Sequence, residues 1–233
     1  MALDRSVLDA LAPETIAPYI QHTLIETGLT RERIVQHAEE AVTYGFNAAM
    51  VPGSWVPEVV DVLRGTDVIV ASALDFPACG VMSSKGKAAE ARSLVDLGAQ
   101  QIDIGVQVGW LKSGLYDRFR DDIAGVVAAG VPVKVMLELP LLTPDERDAA
   151  VELSIEAGAA YLKNASSGAV EVANPQSIAY LASKVRDGIQ VKASGSIKSY
   201  AQAASLLRAG AVLLGTSAGT SIIAGGEAAS ESY

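Results

Sequence analysis

The sequence predicts a single-domain α/β protein folded as a closed (β/α)8 barrel. Three observations predict it. Short apolar runs rich in β-branched residues alternate with amphipathic stretches along the whole chain, which implies βαβ crossovers and a parallel sheet. There are eight such runs, the number that closes this barrel. The chain has 233 residues, close to the roughly 250 of a one-domain barrel. An open doubly wound sheet is the alternative. The G-x-G-x-x-G that opens a dinucleotide-binding sheet is absent after the first run, which counts against that fold and against an NAD-dependent dehydrogenase.

The strand candidates, in order, are YIQHTL from Tyr19, NAAMVP from Asn47, VIVASALDF from Val68, QIDIGVQV from Gln101, VKVMLEL from Val133, AAYLKNA from Ala159, IQVKASG from Ile189 and VLLGTS from Val212. Between them lie helical patterns such as RERIVQHAEEAVTYG, GKAAEARSLVDLGA and SIAYLASKVRDG. Several end in glycine, the residue a helix C-terminus prefers. The barrel is expected over residues 1–223. The small, polar residues 224–233 are expected to form a mobile tail.

Composition narrows the function. The chain carries 18 basic and 27 acidic residues, a net charge of −9. With no basic stripe, this argues against a nucleic-acid partner. It leaves room for a phosphorylated metabolite, because backbone N–H groups bind phosphate locally. The longest apolar stretches reach about half the ~18 residues of a membrane span, and the N-terminus lacks the apolar run of a signal peptide. The single cysteine, Cys79, permits no intrachain disulfide and fits a cytoplasmic setting. A homodimer pairing through the outer helices is the expected assembly.

Charges inside apolar strands need a reason, since parallel strands are covered on both faces. Side chains alternate faces with period two. Asp103, Gly105 and Gln107 therefore share a face, as do Lys134, Met136 and Glu138. Tyr161, Lys163 and Ala165 share another, and Gln190, Lys192 and Ser194 a fourth. Pointed inward, these sets gather Asp103, Lys134, Glu138, Lys163 and Lys192 near the C-terminal mouth, where barrel enzymes carry their sites. Lys163 and Lys192 fall one βα unit apart, on adjacent strands about 4.8 Å apart. Each disfavours the other's charge, and burial adds to the effect. An amine kept neutral in this way is what a Schiff-base nucleophile needs, and Asp103 can stabilise the remaining cation and move protons. Lys134 lies deeper and is read as a partner of Asp103 or Glu138.

The next loops carry glycine and hydroxyl groups. Gly195 and Ser196 lie at the end of the seventh run, and Gly215, Thr216 and Ser217 close the eighth. In barrels, the loops after these two strands often bind phosphate. His22 is read as a hydrogen-bonded barrel residue and His37 as a surface residue of a helix. Neither has a cysteine or histidine at metal-ligand spacing, so no zinc site is expected. Trp55 and Trp110 are read as rim packing.

Lys163 at a strand end, then VKASGSI, then GAVLLGTSAG resemble the deoxyribose-phosphate aldolase family. QHTL, GFNAAMVPGSWVP, DFPACG, AEARSLVDLGAQQIDIGVQVGWLKSG and VKVMLELPLLT match in order and spacing, so the resemblance covers the whole barrel. It implies that Lys163 forms the Schiff base, Lys192 tunes it, Asp103 is the acid/base, and Gly195, Ser196, Gly215, Thr216 and Ser217 lie on phosphate-binding loops. The implied reaction is reversible cleavage of 2-deoxy-D-ribose 5-phosphate to D-glyceraldehyde 3-phosphate and acetaldehyde, with no metal and no cofactor. Gln21, Lys134 and Tyr233 are accessory candidates, the last as a terminal phenol able to relay protons. The chain departs from the family at several positions. Gln21 stands where Asp is usual, Glu26 for Lys, Met50 for a frequent Cys, Gln107 for Asn and Ser196 for Gly. Asn164-Ala165-Ser166-Ser167 replaces Thr-Ser-Thr-Gly, with Gly168 one place late. Two other readings stand beside this one. One is a Schiff-base lyase for another phosphorylated aldehyde or keto acid. The other is a sugar-phosphate-binding barrel without catalysis.

Overall fold

The computed structural model describes residues 3–186 and 188–226. Each of the eight apolar runs contains a strand: β1 (Ile20–Thr23), β2 (Ala48–Val51), β3 (Ile69–Leu74), β4 (Gln101–Gly105), β5 (Val133–Met136), β6 (Tyr161–Lys163), β7 (Gln190–Ser194) and β8 (Leu213–Thr216). All neighbours pair in parallel, in sequence order, and β8 closes on β1 through Gln21↔Gly215 and His22↔Thr216. The (β/α)8 expectation is met.

The helices are α1 (Arg5–Asp9), α2 (Arg31–Tyr44), α3 (Val56–Leu63), α4 (Ser84–Asp96), α5 (Val108–Lys112), α6 (Tyr116–Val127), α7 (Pro144–Glu156), α8 (Pro175–Lys184), α9 (Tyr200–Arg208) and α10 (Gly219–Ile223). Their starts are chemically marked. Thr30, Ser83, Thr143, Asn174 and Ser199 each accept a hydrogen bond from a first-turn N–H, which is worth about 1 kcal/mol per cap. Thr143 and Glu146 cap each other's backbone N–H reciprocally. Gly45 ends α2 at φ 68°, a left-handed turn that a side chain would strain.

The outer faces of the strands carry residues such as Ile20, Ile102, Ile104, Val135, Leu162 and Val191, which join the inner faces of the helices in one continuous core. The inside of the barrel divides by chemistry. A small apolar cluster of Ala48, Met50 and Ala71, with Ile25 and Ile69 against it, fills the β1–β3 side. The β4–β7 side holds Asp103, Lys134, Lys163 and Lys192, all buried. No described helix is long and apolar enough to cross a membrane.

Candidate active site

The strand register brings the interior charges together. Asp103 pairs across to Lys134, and Lys163 to Lys192. Their side chains converge on one carboxylate. Lys192 Nζ donates to Asp103 Oδ2 at 2.7 Å and Lys163 Nζ to the same oxygen at 3.1 Å. Lys134 Nζ lies 3.2 Å from Asp103 Oδ1 and 5.8 Å from the centroid of the Tyr161 ring. Of the two partners expected for Lys134, Asp103 is the one it meets. The side chains of Asp103, Lys134 and Lys192 are fully buried, while Lys163 keeps 4% of its surface exposed. The cluster is thus sealed below, and among its lysines Lys163 is the one that reaches toward solvent.

Three lysines share one carboxylate, and the protonation states reflect it. Burial opposes ionisation of Asp103, but Lys192, Lys134 and Lys163 outweigh it and hold the carboxyl far below the usual range. Burial pushes Lys192 well below an ordinary lysine. Asp103 works against that shift, and the charges of Lys163 and Lys134 add to it. Lys134 is lowered by burial, again opposed by Asp103.

Gln21 completes the shell around Lys192. Its Oε1 accepts from Lys192 Nζ at 2.7 Å, and its Nε2 donates to Gln101 Oε1 at 2.8 Å and to Asn47 Oδ1 at 3.0 Å. Gln101 is a member of the site that sequence reasoning missed. The signal that could have found it is period-two alternation, which puts it two residues before Asp103 on the same face. Gly215 belongs to this shell rather than to an outer loop. A Cβ there would lie 3.0 Å from Lys192 Cε and 3.3 Å from Ser194 Cβ, so its bareness makes room for the lysine.

Two expected members lie elsewhere because their strands end first. β5 stops at Met136, and Glu138 adopts φ 53°. Its carboxylate accepts from Ser166 N at 3.2 Å and from the Cys79 thiol at 3.1 Å, not from a cluster lysine. Burial, then Glu138, pushes the Cys79 thiol up out of the thiolate range. β4 stops at Gly105, and Gln107 donates to the Met82 carbonyl at 2.7 Å.

The candidate phosphate loops are also sorted by their hydrogen bonds. Gly195 (φ 117°) and Ser196 (φ 48°) turn sharply at the end of β7. The Thr216 hydroxyl is committed: it donates to the Ile197 carbonyl at 2.6 Å and accepts from Ala218 N at 2.9 Å, tying the β7 and β8 loops together. Ser217 follows on the β8 loop, half-buried. Tyr233 lies outside the described residues.

Two clusters escaped sequence reasoning because only the fold assembles them. Lys87 of α4 is fully buried between Asp75 (2.8 Å) and Asp122 (2.7 Å) and donates to the Gly105 carbonyl at 2.8 Å. Asp75, at φ 54°, also accepts from the backbone of Gly80, Val81 and Met82, which shapes the loop after β3. The second cluster corrects the surface assignment of His37. Its ring is buried, stacked 4.3 Å from that of His22 with a 22° tilt, because α2 packs this face against β1. His37 Nε2 donates to the His22 carbonyl, and His22 Nε2 meets Glu40 Oε2, each at 3.1 Å. Burial, then His22, pushes His37 well below an ordinary histidine. One donor atom from each of His22, His37 and Glu40 lies within 4.8 Å of the others. The stacked rings nevertheless aim their nitrogen lone pairs in nearly parallel planes, a poor fit to tetrahedral ligation.

No family model matches the chain. Curated relatives do. The chain is 38% identical over 213 residues to the deoxyribose-phosphate aldolase of Geobacillus sp., covering 90% of this chain and 95% of that protein. It is 41% identical over 214 residues to that of Methanothermobacter thermautotrophicus, covering 91% and 95%. Among solved structures, the tetrameric deoxyribose phosphate aldolase of Aeropyrum pernix superposes with a TM-score of 0.84 at 28% identity, over 94% of each chain. Identity at this level over nine-tenths of both sequences, on a barrel with the same architecture, decides the assignment: the chain belongs to the deoxyribose-phosphate aldolase family, a family of carbon–carbon lyases.

Proposed function

We propose that this barrel cleaves 2-deoxy-D-ribose 5-phosphate reversibly to D-glyceraldehyde 3-phosphate and acetaldehyde through a Schiff base on Lys163. The observation that carries the reading is the asymmetry of the buried cluster: three lysines on one carboxylate, of which Lys163 alone has an exposed edge. Family membership supplies the reaction class.

In the synthetic direction, the Lys163 amine adds to the acetaldehyde carbonyl. The carbinolamine loses water to give an iminium, which draws electron density from the adjacent carbon. Asp103 and Lys192, with a water, remove the α-proton, and the resulting enamine attacks the aldehyde carbon of the phosphorylated acceptor, whose carbonyl oxygen takes up that proton as the C=O π bond opens to a hydroxyl. Water then hydrolyses the new iminium and frees Lys163. Lys192 suits the proton step because burial favours its neutral form and because it shares Asp103 Oδ2 with Lys163, which gives a direct route between the two amines. The Gly195, Ser196 and Ser217 loops supply N–H and hydroxyl groups for the phosphate, while Gly215 and Thr216 shape them.

The test is retro-aldol cleavage of 2-deoxyribose 5-phosphate by the wild type and Lys163→Met, with borohydride trapping of the acetaldehyde adduct. Turnover and a trapped adduct in the wild type, both lost in Lys163→Met, are expected. A trapped adduct without cleavage of this sugar would redirect the reading to a different aldehyde or keto acid. Binding with neither adduct nor turnover would leave a sugar-phosphate-binding barrel.

A further inference from the structure

We propose that Asn164 and Glu171 form a positioning clasp that holds the phosphate-facing turn at Gly195 and Ser196 in register with the lysine-bearing strand end. The inference rests on the aldolase reading for its substrate, but its geometry is independent of that reading.

Asn164 directly follows Lys163, and its side chain is fully buried. The β6–β7 ladder ends at Lys163↔Lys192, yet the Asn164 amide extends it. Its Oδ1 accepts from Ser194 N at 2.9 Å, and its Nδ2 donates to the Ser194 carbonyl at 3.0 Å. The side chain therefore replaces a backbone peptide in the ladder. β6 can turn away after Lys163, opening the mouth above the amine, without leaving the Ser194 backbone unpaired. The Ser194 hydroxyl adds a second tie, to the Ala165 carbonyl at 2.7 Å.

Glu171 holds this amide from behind. Its Oε2 accepts from Asn164 Nδ2 at 2.7 Å. Its Oε1 accepts from Asn174 Nδ2 at 3.0 Å and from the Ser177 hydroxyl at 2.5 Å. One carboxylate thus joins the end of β6 to the first turn of α8. Hydrogen bonds to a charged acceptor are about twice as strong as neutral ones, so the junction is stiff.

The backbone between these anchors lies directly on the phosphate-facing turn. Ala173 N donates to the Gly195 carbonyl at 2.8 Å. A Cβ on Gly195 would collide with the Glu171 carbonyl oxygen, and one on Gly168 would collide with the Ser196 side chain. Gly195 and Ser196 are therefore seated against the segment that Glu171 fixes. If the segment moves, so do the N–H groups of the turn. The run from Asn164 to Gly168 thereby acts as a brace between the nucleophile and the phosphate turn.

The test measures inorganic phosphate affinity by titration calorimetry, and in parallel kcat/KM for 2-deoxyribose 5-phosphate and for unphosphorylated 2-deoxyribose. The proteins are the wild type, Glu171→Ala, Glu171→Gln and Ser177→Ala. Misaligning one hydrogen bond to a charged group costs on the order of 10- to 100-fold in affinity. Glu171→Ala should lose phosphate affinity and its preference for the phosphorylated sugar on that scale, mainly through KM. Glu171→Gln keeps an acceptor oxygen for Asn174 and Ser177 and should recover part of both. Ser177→Ala removes one outer tie and should shift both in the same direction by a smaller factor, a result that stands even if Glu171→Ala does not fold. Phosphate affinity unchanged in Ser177→Ala and in whichever Glu171 variants fold would overturn the clasp. So would equal losses on both sugars, or a wild type that does not bind phosphate. The functional reading fails separately: a wild type that binds phosphate but neither cleaves the sugar nor traps acetaldehyde sinks the aldolase chemistry, while the calorimetry still decides the clasp.

Discussion

At the scale of single residues, charge count governs the site. Asp103 is the one carboxylate that Lys134, Lys163 and Lys192 all meet, and Gln21 contacts Lys192 with a neutral oxygen. A carboxylate at Gln21 would stabilise protonated Lys192 at hydrogen-bond distance. An opposite charge this close moves a pKa by about 1–3 units. If neutral Lys192 is the working proton acceptor, Gln21→Glu should move the acid limb of the kcat/KM profile to higher pH by about that amount and reduce turnover at neutral pH. The measurement is the pH profile of cleavage for wild type and variant. An acid limb that stays in place would show that Lys192 does not titrate in the rate-determining step. The same scale explains which candidates were legible. Asp103, Lys163 and Lys192 stand out because a charge inside an apolar strand is expensive and alternation fixes its direction. Glu138 and Gln107 fall on the same face by the same rule, but β5 and β4 end at Met136 and Gly105. Beyond a strand end, alternation no longer says where a side chain points.

At the scale of elements, the helices are attached to the barrel by apolar packing and by a few buried polar ties. The strands were readable because each is a compact, largely apolar run set between turns and amphipathic stretches. The ties were not, since Lys87, Asp75 and Asp122 lie on separate elements and nothing local links them. Their energetic weight is nonetheless large. Lys87 joins α4, α6, the loop after β3 and the end of β4. Removing one partner of a buried ion network strands the others without solvent, at about 3–5 kcal/mol. Lys87→Ala should therefore lower stability by that amount in urea unfolding, far beyond a surface substitution such as Lys85→Ala, which stays within about 0.5 kcal/mol. Comparable midpoints for the two variants would mean that the network contributes little. His37 makes the same point about legibility. A histidine in a polar helical pattern reads as exposed, and only the packing of α2 on β1 turns it inward against His22.

At the scale of the whole molecule, the barrel encloses an excess of basic groups inside an acidic protein of net charge −9, so its stability must depend on pH in a defined direction. Lys192 is shifted well below an ordinary lysine by burial, against the pull of Asp103. Between that lowered value and the unfolded value of about 10.4, the unfolded chain binds more protons at this position than the folded one. Stability then rises with pH across that window, at up to about 1.4 kcal/mol per pH unit for one such group. Lys134, lowered for the same first reason, pushes in the same direction. Asp103 is held below its usual range, so its contribution is present above the unfolded value of about 3.9 and is lost only as pH falls below it. It does not mask the lysine effect at neutral or alkaline pH. Lys192→Met removes the titrating group and keeps most of the volume. The wild type should therefore gain stability relative to Lys192→Met as pH is raised from about 7 toward about 9.5, inside the window below the unfolded lysine value, read as the difference between their urea-unfolding free energies at each pH. A difference that is flat over this range, or that shrinks in the wild type's disfavour, would mean that Lys192 is charged in the folded barrel. Its part in the proton transfer would then have to pass to Asp103.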